Sequence, residues 1–258
     1  MMQEDLTFTI DEDGIARITL NRPERRNAFT FDMIAAWHAA LEDSKKNPKV
    51  KVVVITGAGD AFCAGGDIVE MMDRMDQTAA QRKAELFDRV QRIPLALEDM
   101  DKPVIAAMNG AAAGAGLDLA LMCDLRIAAR SATFGETYTK VGIVPGAGGA
   151  WFLPRLVGTA KALELFWTAE FLSAEQAEDI GMVNRVVDDA DLMDVTDALA
   201  RKIAASPQQS VRMIKRAVLA GMRSDLRTHL DMISSHYAIV TLGEDHREAV
   251  ARFVERRE

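Results

Sequence analysis

The sequence predicts an α/β protein that ends in helices, and three features of its 258 residues carry that prediction. Short β-branched or apolar segments recur in the first half, each bounded by turn residues or glycine. Amphipathic helical patterns separate them, and strand-like runs become scarce after Leu156. With 49% hydrophobic residues, a chain of this length can bury a substantial core.

Residues 16–20, 50–56, 103–107 and 125–128 read as buried parallel strands. Between the first two, residues 31–41 place Met33, Ile34, Trp37, Ala40 and Leu41 on one helical face. A longer helical pattern over residues 78–97 separates the second strand from the third, and strand–helix–strand repeats of this kind imply right-handed crossovers. Residues 150–156 read as a helix. Farther on, Ser173 and Gln176 form a capping box for a short helix that Gly181 closes. One strand-like run follows at 182–187, and helices are expected over 190–205, 208–222, 226–240 and 244–256. The chain is therefore divided into an α/β core, residues 1–200, and a helical region, residues 201–258, that packs on the core or on a neighbouring subunit.

Composition narrows the function. A net charge of −8 argues against general nucleic-acid affinity, so a polyanionic ligand must be met by a local basic cluster or by backbone N–H groups. No run approaches eighteen consecutive apolar residues, and the N-terminus is acidic rather than basic-then-apolar, which reads as a cytoplasmic protein without a membrane span. Cys63 and Cys123 sit in small or apolar sequence and read as buried free thiols. The chain lacks G-x-S-x-G, H-E-x-x-H and Walker A motifs, so metal and serine-hydrolase chemistry is not expected. A dinucleotide fingerprint starting at Gly57 and Gly59 fails because Phe62 occupies the third glycine position.

Three glycine-rich stretches remain: residues 61–68, 109–120 and 142–149. In the first, small residues let backbone N–H groups approach a ligand and aim at one point. The second follows a strand and opens a helix, so first-turn N–H groups and the positive helix end face outward together. The third precedes the helical pattern at 150–156. Tight strand-to-helix packing accounts for any one of these loops taken alone.

Together with Asn21-Arg-Pro-Glu-Arg-Arg-Asn27-Ala28, Lys102-Pro-Val-Ile-Ala-Ala-Met-Asn-Gly110, Met122-Cys-Asp124 and Arg155-Leu-Val-Gly158, these stretches resemble the crotonase, or enoyl-CoA hydratase/isomerase, superfamily over nearly the whole chain. The resemblance implies a crotonase-like spiral of ββα repeats with a C-terminal helical region, assembly as a homotrimer or hexamer, and an acyl-CoA substrate of fatty acid metabolism with no separate cofactor. It places an oxyanion hole on the backbone N–H of Gly66 and Ala115, where two fixed donors would meet the charge that a thioester oxygen gains as its α-proton leaves. It places coenzyme A contacts at Arg25, Arg26, Ala28, Ala64, Asp67 and Ile68, of which the two arginines are local cations in an acidic chain.

The sequence departs from the hydratase pattern where two glutamates are expected. The first position holds Asp118, one methylene shorter, and the second holds Tyr138, a poor base at neutral pH. Asp118 is thus the expected acid/base, with Tyr138 orienting substrate or water. Glu136 is a candidate second carboxylate, since in an extended segment it would point the same way as Tyr138. Hydration or double-bond isomerisation of an enoyl-CoA is the leading expectation, and the missing glutamate tilts it toward isomerisation. Hydrolysis or C–C cleavage of a cyclic or branched acyl-CoA is the enzymatic alternative, and non-catalytic acyl-CoA or RNA binding is the alternative of another class.

Overall fold

The computed structural model describes residues 5–255. Ten strands follow in chain order: β1 (Leu6–Ile10), β2 (Ile15–Leu20), β3 (Val52–Gly57), β4 (Ala61–Cys63), β5 (Val104–Met108), β6 (Ala111–Ala113), β7 (Leu125–Ala129), β8 (Thr133–Gly135), β9 (Phe171–Ser173) and β10 (Arg185–Val187). They form two sheets, a six-stranded one in the order β1-β2-β3-β5-β7-β10 and a four-stranded one in the order β4-β6-β8-β9. Among the described residues, only the β1–β2 and β8–β9 pairs are antiparallel. The larger sheet contains the four strands read from the sequence, because β-branched runs buried on both faces suit a parallel sheet.

Alternation along the strands divides the core. Val53 and Ile55 face the helix Phe31–Lys46, which contributes Met33, Ile34, Trp37 and Leu41 to the larger core. Val52 and Val54 face the other way, onto Leu192, Ala200 and Ala204 of the helix Leu192–Ala204. That helix spans the boundary expected near residue 200, so the α/β core continues through it. Past it, the helix Gln208–Gly221 is tied to the core by ion pairs from Lys215 to Asp124 at 2.7 Å and from Arg212 to Asp101 at 2.6 Å.

Other boundaries shift for local reasons. The single helix expected over 78–97 is broken into Ala79–Glu85, a wider π turn Leu86–Val90 and Arg92–Glu98. The Ser173 capping box is present and Gly181 takes a positive φ of 77°. The last predicted helix runs Glu244–Glu255, and Arg256 lies outside the described residues. Among the described residues, no helix is long and apolar enough to cross a membrane.

Candidate active site

The small sheet builds the site. Strands β4 and β6 run parallel and adjacent, so the chain leaves both at the same edge. After β4, Gly65 adopts φ +97°, a conformation that L side chains rarely adopt, and a Cβ there would come within 3.0 Å of the Ala113 carbonyl oxygen. After β6, Gly114 turns at φ +48° into the helix Ala115–Leu121. The two turns approach so closely that a Cβ on Gly116 would meet the Cys63 carbonyl oxygen at 2.2 Å.

The same approach brings the Gly65 turn against the start of the helix, where a Cβ on Gly65 would lie 3.6 Å from the Ala115 amide nitrogen. The Phe29 amide donates to the Gly65 carbonyl at 2.8 Å and the Asp67 amide donates to the Phe29 carbonyl at 3.0 Å, which leaves the intervening Gly66 N–H without a backbone acceptor. The N–H of Ala115, first residue of its helix, is likewise uncommitted among the described residues. Both residues line one cavity of about 460 Å³, with Phe29, Met71, Met75, Leu86, Val90 and Ile143 supplying much of its apolar wall.

One turn into the same helix lies Asp118, fully buried, with no contact to the cavity. Its Oδ2 accepts a hydrogen bond from the Tyr138 hydroxyl, and Tyr138 does line the cavity. Asp118 is the expected acid/base; helix geometry turns its short side chain inward, beneath Gly149, and it is Tyr138, bonded to it, that lines the cavity. A Cβ on Gly149 would fall 1.9 Å from Asp118 Oδ1, so this glycine makes room for the carboxylate.

Glu136 is also placed differently from the alternation argument. The chain does not continue extended past it, because Thr137–Val141 forms a 3-10 turn with Glu136 at its N-terminal boundary. Its carboxyl is buried within hydrogen-bonding reach of Asp118 and does not line the cavity.

Burial governs the electrostatics. It pushes the Asp118 carboxyl up to about 6, against the hydrogen bond from Tyr138 and the nearby Gly149 amide, which favour the ionised form. Burial, then the neighbouring Asp118, push Glu136 up to about 10. The same two causes raise the Tyr138 hydroxyl far above the usual tyrosine range, so it stays protonated. Both free thiols, Cys63 and Cys123, are buried and pushed up to about 12 by that burial.

The residues expected to hold coenzyme A share one edge. Ala64 donates its amide to the Arg26 carbonyl at 2.9 Å, and Arg22 pairs with Asp67 at 3.0 Å while donating to the Ala28 carbonyl at 2.5 Å. Against the upward pull of burial, the Arg22 hydrogen bond holds the Asp67 carboxyl below its usual range. Asp67 also caps the helix Ile68–Met72, and Asp67 and Ile68 line the cavity. Arg25, Arg26 and Ala64 are exposed outside it, with Ala28 half-buried beside them. Sequence reasoning missed Arg22, whose guanidinium ties the two segments, and Gly149; the spacing of Arg22 from Asp67 gave no local signal for a pair 45 residues apart.

Comparison with known proteins agrees with this architecture. The family model described as enoyl-CoA hydratase/isomerase matches residues 11–258. The chain is 40% identical to 1,2-epoxyphenylacetyl-CoA isomerase of Escherichia coli over 250 residues, covering 95% of this chain and 94% of that protein. It is 37% identical to short-chain-enoyl-CoA hydratase of Clostridium acetobutylicum over 247 residues, covering 95% and 93%. The crystal structure of enoyl-CoA hydratase from Bacillus anthracis superposes with a TM-score of 0.90 at 35% identity, covering 98% of this chain and 97% of that one. A crotonase-like fold, a family model over nearly the whole chain and full-length relatives point one way: the chain belongs to the enoyl-CoA hydratase/isomerase family of enzymes.

Proposed function

We propose that this enzyme isomerises the double bond of an enoyl-CoA thioester through an enolate held by the Gly66 and Ala115 amides. The observation that carries this reading is Tyr138, which lines the same cavity as Gly66 and Ala115 and whose hydroxyl donates to the buried Asp118. A hydroxyl that stays protonated is no base by itself. It becomes one in a relay: the substrate C–H proton bonds to the Tyr138 oxygen as the Tyr138 hydrogen passes to Asp118 Oδ2. The electron pair left behind moves onto the thioester oxygen, where two preorganised donors meet the charge. Reversing the relay at the γ-carbon completes the shift.

Isomerisation is favoured over hydration because water addition needs a second polar group to hold and deprotonate the water. The carboxylates that line the cavity are engaged: Asp67 with Arg22, and Glu70 and Glu85 with Arg74 at 2.8 and 3.5 Å. Arg74 is itself stacked over the Phe31 ring at 3.9 Å. The same shortage of a free base disfavours hydrolysis and C–C cleavage, and a proton relay beside an oxyanion hole disfavours a purely binding role.

The apolar wall suits an apolar acyl chain, with exposed Arg25 and Arg26 toward the nucleotide part of coenzyme A. No cofactor beyond the substrate's own coenzyme A enters these steps. Exposed Leu226, Leu230, Tyr237 and Leu242 on the helix Leu226–Leu242 support a homotrimer or hexamer, and two unpaired thiols suit the cytoplasm. The test is incubation with 2-enoyl- and 3-enoyl-CoAs in heavy water, followed by mass and double-bond analysis. Interconversion of the two isomers without gain of water supports the proposal; a gain of water's mass identifies a hydratase instead.

A further inference from the structure

The Tyr138–Asp118 relay leaves one buried acid without a task. Glu136 is 1% exposed and lies within hydrogen-bonding reach of Asp118. With both groups as carboxylates, neither oxygen of Glu136 has a hydrogen-bond partner, and neither does Asp118 Oδ1. Carboxylates only accept, so as carboxylates the two groups offer each other no hydrogen, and the nearby Gly149 and Ala147 amides act on Asp118 and not on Glu136. Among the described residues no cation offsets the charge: the titratable groups that act on Glu136 are Asp118, on the helix packed against it, and Tyr138, on its own turn, both acids. Two uncompensated charges buried together are not a stable arrangement.

One hydrogen answers most of this. Placed on Glu136 it removes one of the two charges, turns that group into a donor and gives Asp118 Oδ1 the partner it lacks. We propose that Glu136 is a protonated positioning residue, whose O–H donates to Asp118 Oδ1 and keeps that carboxylate ionised and aimed at the Tyr138 hydroxyl. Burial and the adjacent Asp118 carboxylate, which push Glu136 up to about 10, act in the same direction. During turnover Asp118 Oδ2 gains and loses the travelling proton, while Glu136 keeps its own. Glu136 thus differs in kind from a second catalytic carboxylate: what it contributes is a donor.

The proposal rests on the relay described above, and two variants test it. Glu136→Gln retains a donor, an amide N–H, without an acid; Glu136→Met retains bulk and removes the donor. The pH profile of kcat/KM is the readout. For Glu136→Gln we expect less than about a tenfold loss and an acid limb near its original position. For Glu136→Met we expect the acid limb to move up by about one pH unit or more, because the Asp118 carboxylate has lost a hydrogen bond that favours its ionised form. Collapse of Glu136→Gln to the level of Asp118→Asn would overturn the proposal, since Glu136 would then be a proton carrier. An unmoved limb in Glu136→Met would overturn it too. Should Glu136→Met fail to fold, infrared difference spectra of the wild type and Glu136→Gln at neutral pH decide: a protonated-carboxyl C=O band lost in the variant supports the proposal, and no such band in the wild type refutes it. Wild-type turnover in Asp118→Asn would instead overturn the relay, a failure the infrared band distinguishes because it reads the Glu136 hydrogen alone.

Discussion

The Tyr138 hydroxyl donates its hydrogen to Oδ2 of Asp118, and of the two only Tyr138 reaches the cavity. A proton exchanged with a ligand in that cavity therefore reaches Asp118 through the tyrosine. Groups placed in series fail together, which sets the first expectation. Tyr138→Phe and Asp118→Asn should each lower kcat by roughly two to four orders of magnitude, and the double variant should be little worse than either. Steady-state kinetics of the three variants, with acyl-CoA affinity measured separately, checks this. Additive losses would show two independent roles.

Activity should carry an acid limb set by Asp118. Below its value of about 6 the carboxyl is already protonated and cannot take the tyrosine hydrogen, so kcat/KM should fall about tenfold per pH unit below that point. A profile flat down to pH 5 would contradict the assignment.

Stability should run the opposite way with pH. Glu136 and Asp118 both have folded values raised above their ordinary 4.5 and 3.8, so the folded state holds more protons than the unfolded chain between those values and about 10 and 6. The stability these groups contribute is present below the unfolded values and is lost as pH rises through the folded ones. Asp118→Asn should therefore be more stable than the wild type at pH 8, by about 1–3 kcal/mol, and gain little at pH 4. Denaturant titration at the two pH values measures the difference.

Much of this was legible in the sequence, and the limits have physical reasons. The strands of the larger sheet were readable because burial on both faces demands uninterrupted β-branched residues such as Val52, Val53 and Val54. The smaller sheet was not read strand by strand, since Ala61–Cys63, Ala111–Ala113 and Thr133–Gly135 are three residues each, too short for any periodicity. Gly66 and Ala115 came from the family resemblance, and the fold puts both on the wall of one cavity. The inward turn of Asp118 was not legible, because the same helix residue can face a cavity or a core, and the choice depends on Gly149 some thirty residues away.

Gly149 supplies a further expectation. A methyl group there would overlap the buried Asp118 carboxylate, lying 1.9 Å from Oδ1 and 2.6 Å from its Cγ. Gly149→Ala should lower stability by about 1–3 kcal/mol and reduce turnover by displacing the carboxylate from Tyr138. Thermal melting and kinetics together check it, and a variant with unchanged activity would show that Asp118 is not held in place from this side.

Gly66→Pro removes the amide proposed to face the thioester oxygen. Loss of one such donor should cost about 2.7–4 kcal/mol of transition-state stabilisation while the fold survives. Gly66→Ala keeps the N–H, crowds the flexible Met71 methyl at 2.9 Å and meets the Phe29 ring at an ordinary 3.7 Å, so it should retain far more activity. Equal losses in the two variants would assign the effect to shape rather than to the donor.

The central claim is that the Tyr138–Asp118 pair moves the substrate's proton while the two amides hold the enolate. Deuterium exchange at the α-carbon of a saturated acyl-CoA in heavy water, followed by mass spectrometry, tests it most directly because it needs no complete turnover. The wild type should exchange, and Tyr138→Phe should exchange roughly two to four orders of magnitude more slowly at saturating acyl-CoA. Exchange at the wild-type rate in Tyr138→Phe would show that the proton leaves by another route.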